Sequence, residues 1–243
     1  ILVTSHKLQV TKNFVKNILF ALILSGLTTS ILAIYQHFTG WMVPWDFWQN
    51  GNSFRITGWW GFPNGVGLFL SPLVLLSLFL INKKDWKTWV LPIVFIPLGI
   101  LSVIFAKSTG GLVGIIGGFG LLLLLYKKTR WWTIGLTTIA VIGLFTFPQL
   151  SEIKKEILLQ DRSGQIRISM WGEATEFLSD NPILGAGLAS YQEKIEPYHT
   201  TVNNEGIEIF HHPHNIFLTM WTNLGILGLF GFVWILVWYF RVG

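Results

Sequence analysis

Residues 89–126 read WVLPIVFIPLGILSVIFAKSTGGLVGIIGGFGLLLLLY, and Lys107 is the only charged residue among them. Two apolar runs, 89–106 and 110–126, lie either side of Lys107-Ser108-Thr109. Each is close to the ~18–20 residues that cross a bilayer as a helix. The runs are continuous and lack the polar–apolar alternation of a barrel strand, so helices are the expected form. The short link predicts a tight hairpin between them. Outward from this hairpin the pattern recurs at 17–38, 65–81, 131–147 and 213–240, which gives six expected spans. The fold class expected is an all-α membrane protein, a polytopic transmembrane helix bundle. Residues 1–243 form a single membrane domain on this reading, and 148–212 form one large extracytoplasmic loop with short helices inside it.

Composition agrees with that class. Charged residues make up 12% of the chain, about half of the roughly 25% usual in soluble domains. Lys7, Lys12, Lys16, then Lys83, Lys84, Lys87, then Lys127, Lys128, Arg130, and finally Arg241 all fall on one side if six helices alternate. By the positive-inside rule that side is cytoplasmic. The expected localisation is the cytoplasmic (inner) membrane, with both ends of this chain inside and the 148–212 loop outside. The net charge of +5 then reflects topology and implies no nucleic-acid partner. There are no cysteines, which excludes disulfide and thiol chemistry. Most of the thirteen tryptophans lie near span ends, where interfacial anchoring explains them. The chain opens at Ile1 without Met, and it is expected to be a piece of a longer protein.

Three outer segments carry candidate chemistry. The first, 39–63, holds one cation, Arg55, ahead of Gly58, Gly61 and Pro63-Asn64. Arg55 has two readings: an interfacial arginine snorkelling to water, or a planar fork offered to a phosphate or pyrophosphate. The second segment is the Lys107-Ser108-Thr109 turn, where Lys107 is an auxiliary anion-binding candidate. In the third, the apolar residues Ile166, Met170, Phe177 and Leu178 predict an amphipathic helix that ends at Asp180-Asn181-Pro182. Arg167 and Trp171 share a face of that helix. Arg162 competes with Arg167 for the same anion-binding role from the looser Asp161-Arg162-Ser163-Gly164. Ile183-Leu184-Gly185-Ala186-Gly187 reads as a turn that brings backbone close to something.

The stretch His211-His212-Pro213-His214-Asn215 stands directly before the last apolar run. Imidazoles at a membrane boundary suit proton transfer or ligand binding. Three of them beside Glu205 and Glu208 also suggest zinc, although Pro213 interrupts the spacing and no second ligand-rich segment exists. Pro213 suits the first turn of a helix, which predicts His214 and Asn215 in that opening turn, where an anion is favoured.

Taken together, Arg55 with Gly58 and Pro63-Asn64, Arg167-x-x-x-Trp171, Asn181-Pro182-x-x-Gly185-x-Gly187, and His214-Asn215 followed after nine residues by Gly225-x-x-Gly228 resemble the O-antigen ligase/polymerase superfamily. The resemblance covers about residues 54–231. It implies a glycosyltransferase with ten or more spans, of which this chain holds a part. The implied partners are an undecaprenyl diphosphate-linked glycan donor, a glycan or lipid-linked acceptor, and the lipid bilayer; no cofactor is implied. Relatives often carry Arg beside Ser where this chain has Lys107-Ser108. Arg55, Arg167 and His214 are the catalytic candidates. Arg55 and Arg167 would hold the diphosphate, and His214 would activate the acceptor hydroxyl. Arg162, Lys107, Trp171 and Asn215 are further substrate-binding candidates. Rival readings are a transporter of the bicarbonate-uptake type and a zinc-dependent membrane hydrolase. The transporter would be expected to carry ionisable residues at mid-span, and none of the six runs does.

Overall fold

Every expected apolar run is helical in the computed structural model, which describes residues 12–49, 51, 54–82, 84–202, 205–206 and 208–242. In chain order the helices are α1 (Lys12–Thr39), the short α2 (Asp46–Gln49), α3 (Pro63–Ser77), α4 (Val90–Phe105), α5 (Thr109–Leu125), α6 (Arg130–Thr146), α7 (Ser151–Ile157), α8 (Arg162–Asp180), α9 (Tyr191–Ile195) and α10 (Ile216–Val242). A two-residue antiparallel ladder pairs β1 (Thr201–Val202) with β2 (Glu205–Gly206). This is an all-α, multi-pass membrane protein. Lys7 and Lys83, counted above in the charge asymmetry, lie outside the described residues.

The span count needs correction. Among the described residues four helices are long and apolar enough to cross a membrane: Phe14–Thr39, Pro63–Leu80, Trp86–Phe105 and Ile216–Val242. Helix α5 has 17 residues, about 26 Å at ~1.5 Å per residue against a core of about 30 Å. Helix α6 bends by 93° into Pro148–Asp180 and makes a fifth span only as a broken one. Both stops have a sequence cause. Lys127-Lys128 follows α5, and Pro148 forces Phe147 into extended backbone (φ −91°, ψ 117°).

The chain divides into two units, Ile1–Leu136 and Thr137–Gly243. In the first, α1 packs along α3 and α4, and α3 along α5. Ile23, Val66, Leu70, Val74, Phe95 and Val103 form its core. Lipid supplies no hydrophobic drive between helices, so close packing through small residues holds them together. A Cβ on Gly26 would lie 2.8 Å from the Phe95 ring, and one on Gly111 would lie 2.9 Å from Ser71 Oγ. Gln36, fully buried at the end of α1, fastens the outer segment. Its Oε1 accepts from the Thr57 and Gly58 amides (3.2 and 2.8 Å), and its Nε2 donates to the Gly58 carbonyl (3.1 Å).

In the second unit α8 starts at an Asp161 cap that accepts from the Ser163 and Gly164 amides, both at 3.2 Å. Arg162, expected in a loose turn, is therefore the first residue of a capped helix. The buried face of α8, with Ala174, Phe177 and Leu178, packs on Tyr191 and Ile195 of α9 and on Leu218 and Trp221 of α10. Helix α10 is broken at Gly225 (φ 68°, ψ −176°). The missing bond between the Thr222 carbonyl and the Ile226 amide is replaced by two bonds to the loop after α8. Ile226 N–H donates to the Ile183 carbonyl (3.0 Å), and the Thr222 carbonyl accepts from Ala186 N–H (2.7 Å). A Cβ on Gly225 or Gly185 would collide with the facing carbonyls. The Gly185 and Gly225 motifs thus interlock the loop with the last helix, and the kink has an inserted backbone as its cause.

Candidate functional site

The first cluster is built around Arg55. Gln36 holds the adjacent Thr57-Gly58 backbone, and the Arg55 amide donates to the Trp48 carbonyl (3.0 Å). The half-buried guanidinium then reaches the end of α4. Its Nε donates to the Ala106 carbonyl (2.8 Å), and its Nη2 donates to the Lys107 carbonyl and to Asn64 Oδ1, both at 3.1 Å. The Ala106 carbonyl, at the C-cap of α4, lies at the negative end of that helix's dipole. Burial lowers the Arg55 pKa from its ordinary value. Nη1 keeps two N–H groups without a hydrogen bond among the described residues, and this is the edge that an anion can meet. The structure adds a role that neither sequence reading held: Arg55 caps a helix. Lys107 sits in the same turn in left-handed backbone (φ 47°), with its side chain exposed.

The second cluster lies on α8 and on the segment that precedes α10. Arg167 is exposed, and Trp171 one turn later donates from Nε1 to the Pro213 carbonyl (2.9 Å). That bond holds the segment that carries His214 against α8, the helix that carries Arg167. The imidazole meets the Phe210 ring at 5.2 Å and the His212 ring at 4.6 Å, both edge-on. Its pKa is lowered, first by removal from water and then by repulsion from His212 and Arg167. His214 is also in left-handed backbone (φ 49°), a conformation that costs about 1–3 kcal/mol and gathers at functional sites.

Pro213 and His214 do not occupy the first turn of the helix, as the sequence suggested. Asn215 is the cap: its Oδ1 accepts from the Phe217 and Leu218 amides (3.0 and 3.3 Å), and α10 starts at Ile216. The Asn215 carbonyl is therefore committed to backbone, and the Trp171 N–H is committed to Pro213. Arg162 is exposed at the start of α8. Arg55 and Lys107 belong to the first unit, and Arg162, Arg167, Trp171, His214 and Asn215 to the second. Among the described residues no group of three or more His, Asp or Glu side chains is placed to hold a metal ion.

Glu173 was not anticipated as a site residue. It is 4% exposed, and Oε1 accepts from the Thr200 amide (2.9 Å), Thr200 Oγ1 (2.7 Å) and Ser169 Oγ (3.3 Å). Oε2 faces His199 Nδ1 at 3.4 Å. A buried carboxylate is tolerated only when hydrogen-bonded in this way. Together with Gln192 Nε2, which donates to the Ile209 carbonyl (2.6 Å), it ties the chain that leads to the histidines onto the helical core. The available signal was an acid on an otherwise apolar face: Glu173 lies between Met170 and Phe177.

The sequence profile described as O-antigen ligase matches residues 93–233. The chain belongs to the O-antigen ligase family. The family match includes Lys107, Arg162, Arg167, Trp171, His214 and Asn215, and it begins after Arg55. A Haemophilus influenzae protein described as "Uncharacterized protein" is 26% identical over 251 residues, which cover 91% of this chain. The chain spans 58% of that relative's length. No solved structure matches the chain.

Proposed function

We propose that this chain carries the outer-face chemistry of a membrane glycosyltransferase of the O-antigen ligase or polymerase type. A glycan leaves undecaprenyl diphosphate and joins an acceptor sugar hydroxyl at the outer face of the cytoplasmic membrane. Both ends of the chain lie in the cytoplasm. The observation that carries this reading is the Trp171–Pro213 bond, which ties the segment carrying His214 to the helix carrying Arg167, inside the region matched by the family.

Neutral imidazole takes the acceptor hydroxyl proton as the oxygen forms its bond to the anomeric carbon. The bond from that carbon to the diphosphate oxygen breaks on the opposite side, so the anomeric configuration inverts. The departing diphosphate carries the electron pair, and guanidinium groups stabilise it. In the second unit Arg167 offers its whole fork; in the first, Arg55 is proposed as a separate donor contact through its Nη1 edge, with Lys107 as an auxiliary charge. Fixed arginine charge does this without a metal. Trp171 and Asn215 act by placing His214: one clamps Pro213, the other starts α10. The lowered pKa keeps His214 neutral at physiological pH, the state a base requires.

The test is reconstitution of the full-length protein with an undecaprenyl diphosphate-linked glycan and an acceptor. Inverted product and released undecaprenyl diphosphate are expected, with EDTA present or absent. Hydrolysis without transfer, or activity lost in EDTA and restored by zinc, would favour the hydrolase reading. Orientation is tested separately. Cysteine replacing Ser190 should react with an impermeant thiol reagent from outside, and cysteine replacing Asn82 should not.

A further inference from the structure

At the end of the first unit remote from Arg55 lies a cavity of about 200 Å³. It is lined by Lys16 and Phe20 of α1, by Leu80, and by Lys87, Thr88 and Leu91 around the start of α4. Arg55 binds carbonyls just past the other end of α4. The volume is several times the roughly 30 Å³ share of one water molecule, so it accommodates a molecular group.

The lining is mixed in polarity. Lys16 precedes Phe20 by four residues on α1, the spacing that puts both side chains on one face, whereas Lys87 lies in the 3-10 turn Trp86–Trp89 that leads into α4 and Leu91 in the first turn of α4. Each wall thus pairs a cation with an apolar side chain. Leu80, 5% exposed, closes the floor. Among the described residues neither ammonium group forms an ion pair. Asp85 directs Oδ1 to the Lys87 backbone amide (3.1 Å), and Thr88 Oγ1 is engaged with the Asp85 carbonyl (2.7 Å) and the Asn82 amide (2.8 Å). The connection is fixed further by Trp89 Nε1, which donates to the Asn82 carbonyl (3.0 Å).

We infer that this cavity binds the headgroup of an anionic phospholipid, with the phosphate between Lys16 and Lys87 and the acyl chain against Phe20, Leu80 and Leu91. A soluble anion would leave the apolar floor unfilled. A lipid without net charge would leave two cations without counter-charge. An amphiphile with net negative charge satisfies both walls, and basic pockets between spans on the positive side of a membrane protein take such headgroups.

The test titrates the purified full chain with phosphatidylglycerol and, separately, with phosphatidylcholine, and counts bound lipid by native mass spectrometry. Phosphatidylglycerol should be retained and phosphatidylcholine not. The Lys16→Gln/Lys87→Gln double variant should weaken retention about 30-fold, from roughly 1 kcal/mol per lysine at 1.4 kcal/mol per tenfold. Lys127→Gln/Lys128→Gln removes the same charge away from the cavity and should leave retention unchanged. The charge-conserving Lys16→Arg/Lys87→Arg variant should also retain the lipid. Equal loss in both glutamine doubles would mean general surface attraction and overturn the site, as would loss in the arginine variant. Displacement of the lipid by a comparable concentration of inorganic phosphate would also overturn it, by making this a free-anion site.

Discussion

The Arg55 side chain in the first unit is half-buried and donates three hydrogen bonds to its own fold, whereas the Arg167 side chain in the second stands exposed with no hydrogen bond among the described residues. The two are the same residue type. Their surroundings divide the work differently. Arg55 sits on the carbonyl end of α4, and most of its fork neutralises that helix terminus. Arg167 is held in place by what surrounds it: the Asp161 cap starts its helix, and Trp171 one turn on fixes the Pro213 segment opposite. Under the proposed function, a diphosphate would meet one edge of a guanidinium at Arg55 and the whole fork at Arg167. Loss of Arg167 should therefore read out in chemistry, and loss of Arg55 in folding as well.

The largest expected effect is at Arg167. Arg167→Ala should lower transfer by about 10²–10³-fold, the loss expected when one donor to a developing oxyanion is removed. Its thermal unfolding should stay within ~0.5 kcal/mol of wild type, because no internal bond is broken. Arg167→Lys should rescue poorly, since lysine lacks the bidentate fork. Next comes Arg55→Ala, which leaves the Ala106 and Lys107 carbonyls without their donor and should lower stability by about 2 kcal/mol. Unfolding followed by tryptophan fluorescence checks this. Transfer lost with unfolding unchanged would make Arg55 a second Arg167 and break the comparison. The smallest effects belong to the amides that flank the two sites. Asn64→Ala and Asn215→Ala should each cost about 1 kcal/mol, and Asn215→Ser should restore the cap.

The sequence was legible where one local pattern decides the structure. Continuous apolar runs became helices, and the amphipathic stretch expected over 165–178 became α8 with its end at Asp180. Where two local signals competed, reading went astray. Pro213 and Asn215 both mark helix starts, and the side chain that satisfies two free amides prevailed. What depends on distant partners was not legible. The Arg55 clamp reaches carbonyls 51 and 52 residues away. The break at Gly225 depends on the distant Ile183 carbonyl that faces it. Glu173 needs Thr200, 27 residues on, before its burial makes sense.

The measurement closest to the central claim, that Arg167 and His214 work as adjoining cation and base, is the pH dependence of transfer in wild type and in Arg167→Gln. A base must be neutral, so the rate should rise with pH through the His214 pKa and then level off. In wild type that inflection should fall below the ordinary histidine value of about 6.5, because desolvation, His212 and Arg167 all disfavour the protonated ring. In Arg167→Gln one repulsive charge is gone, and the inflection of the residual activity should move upward. His214→Ala should abolish the inflection. An inflection that stays in place in Arg167→Gln, or that survives in His214→Ala, would contradict the account.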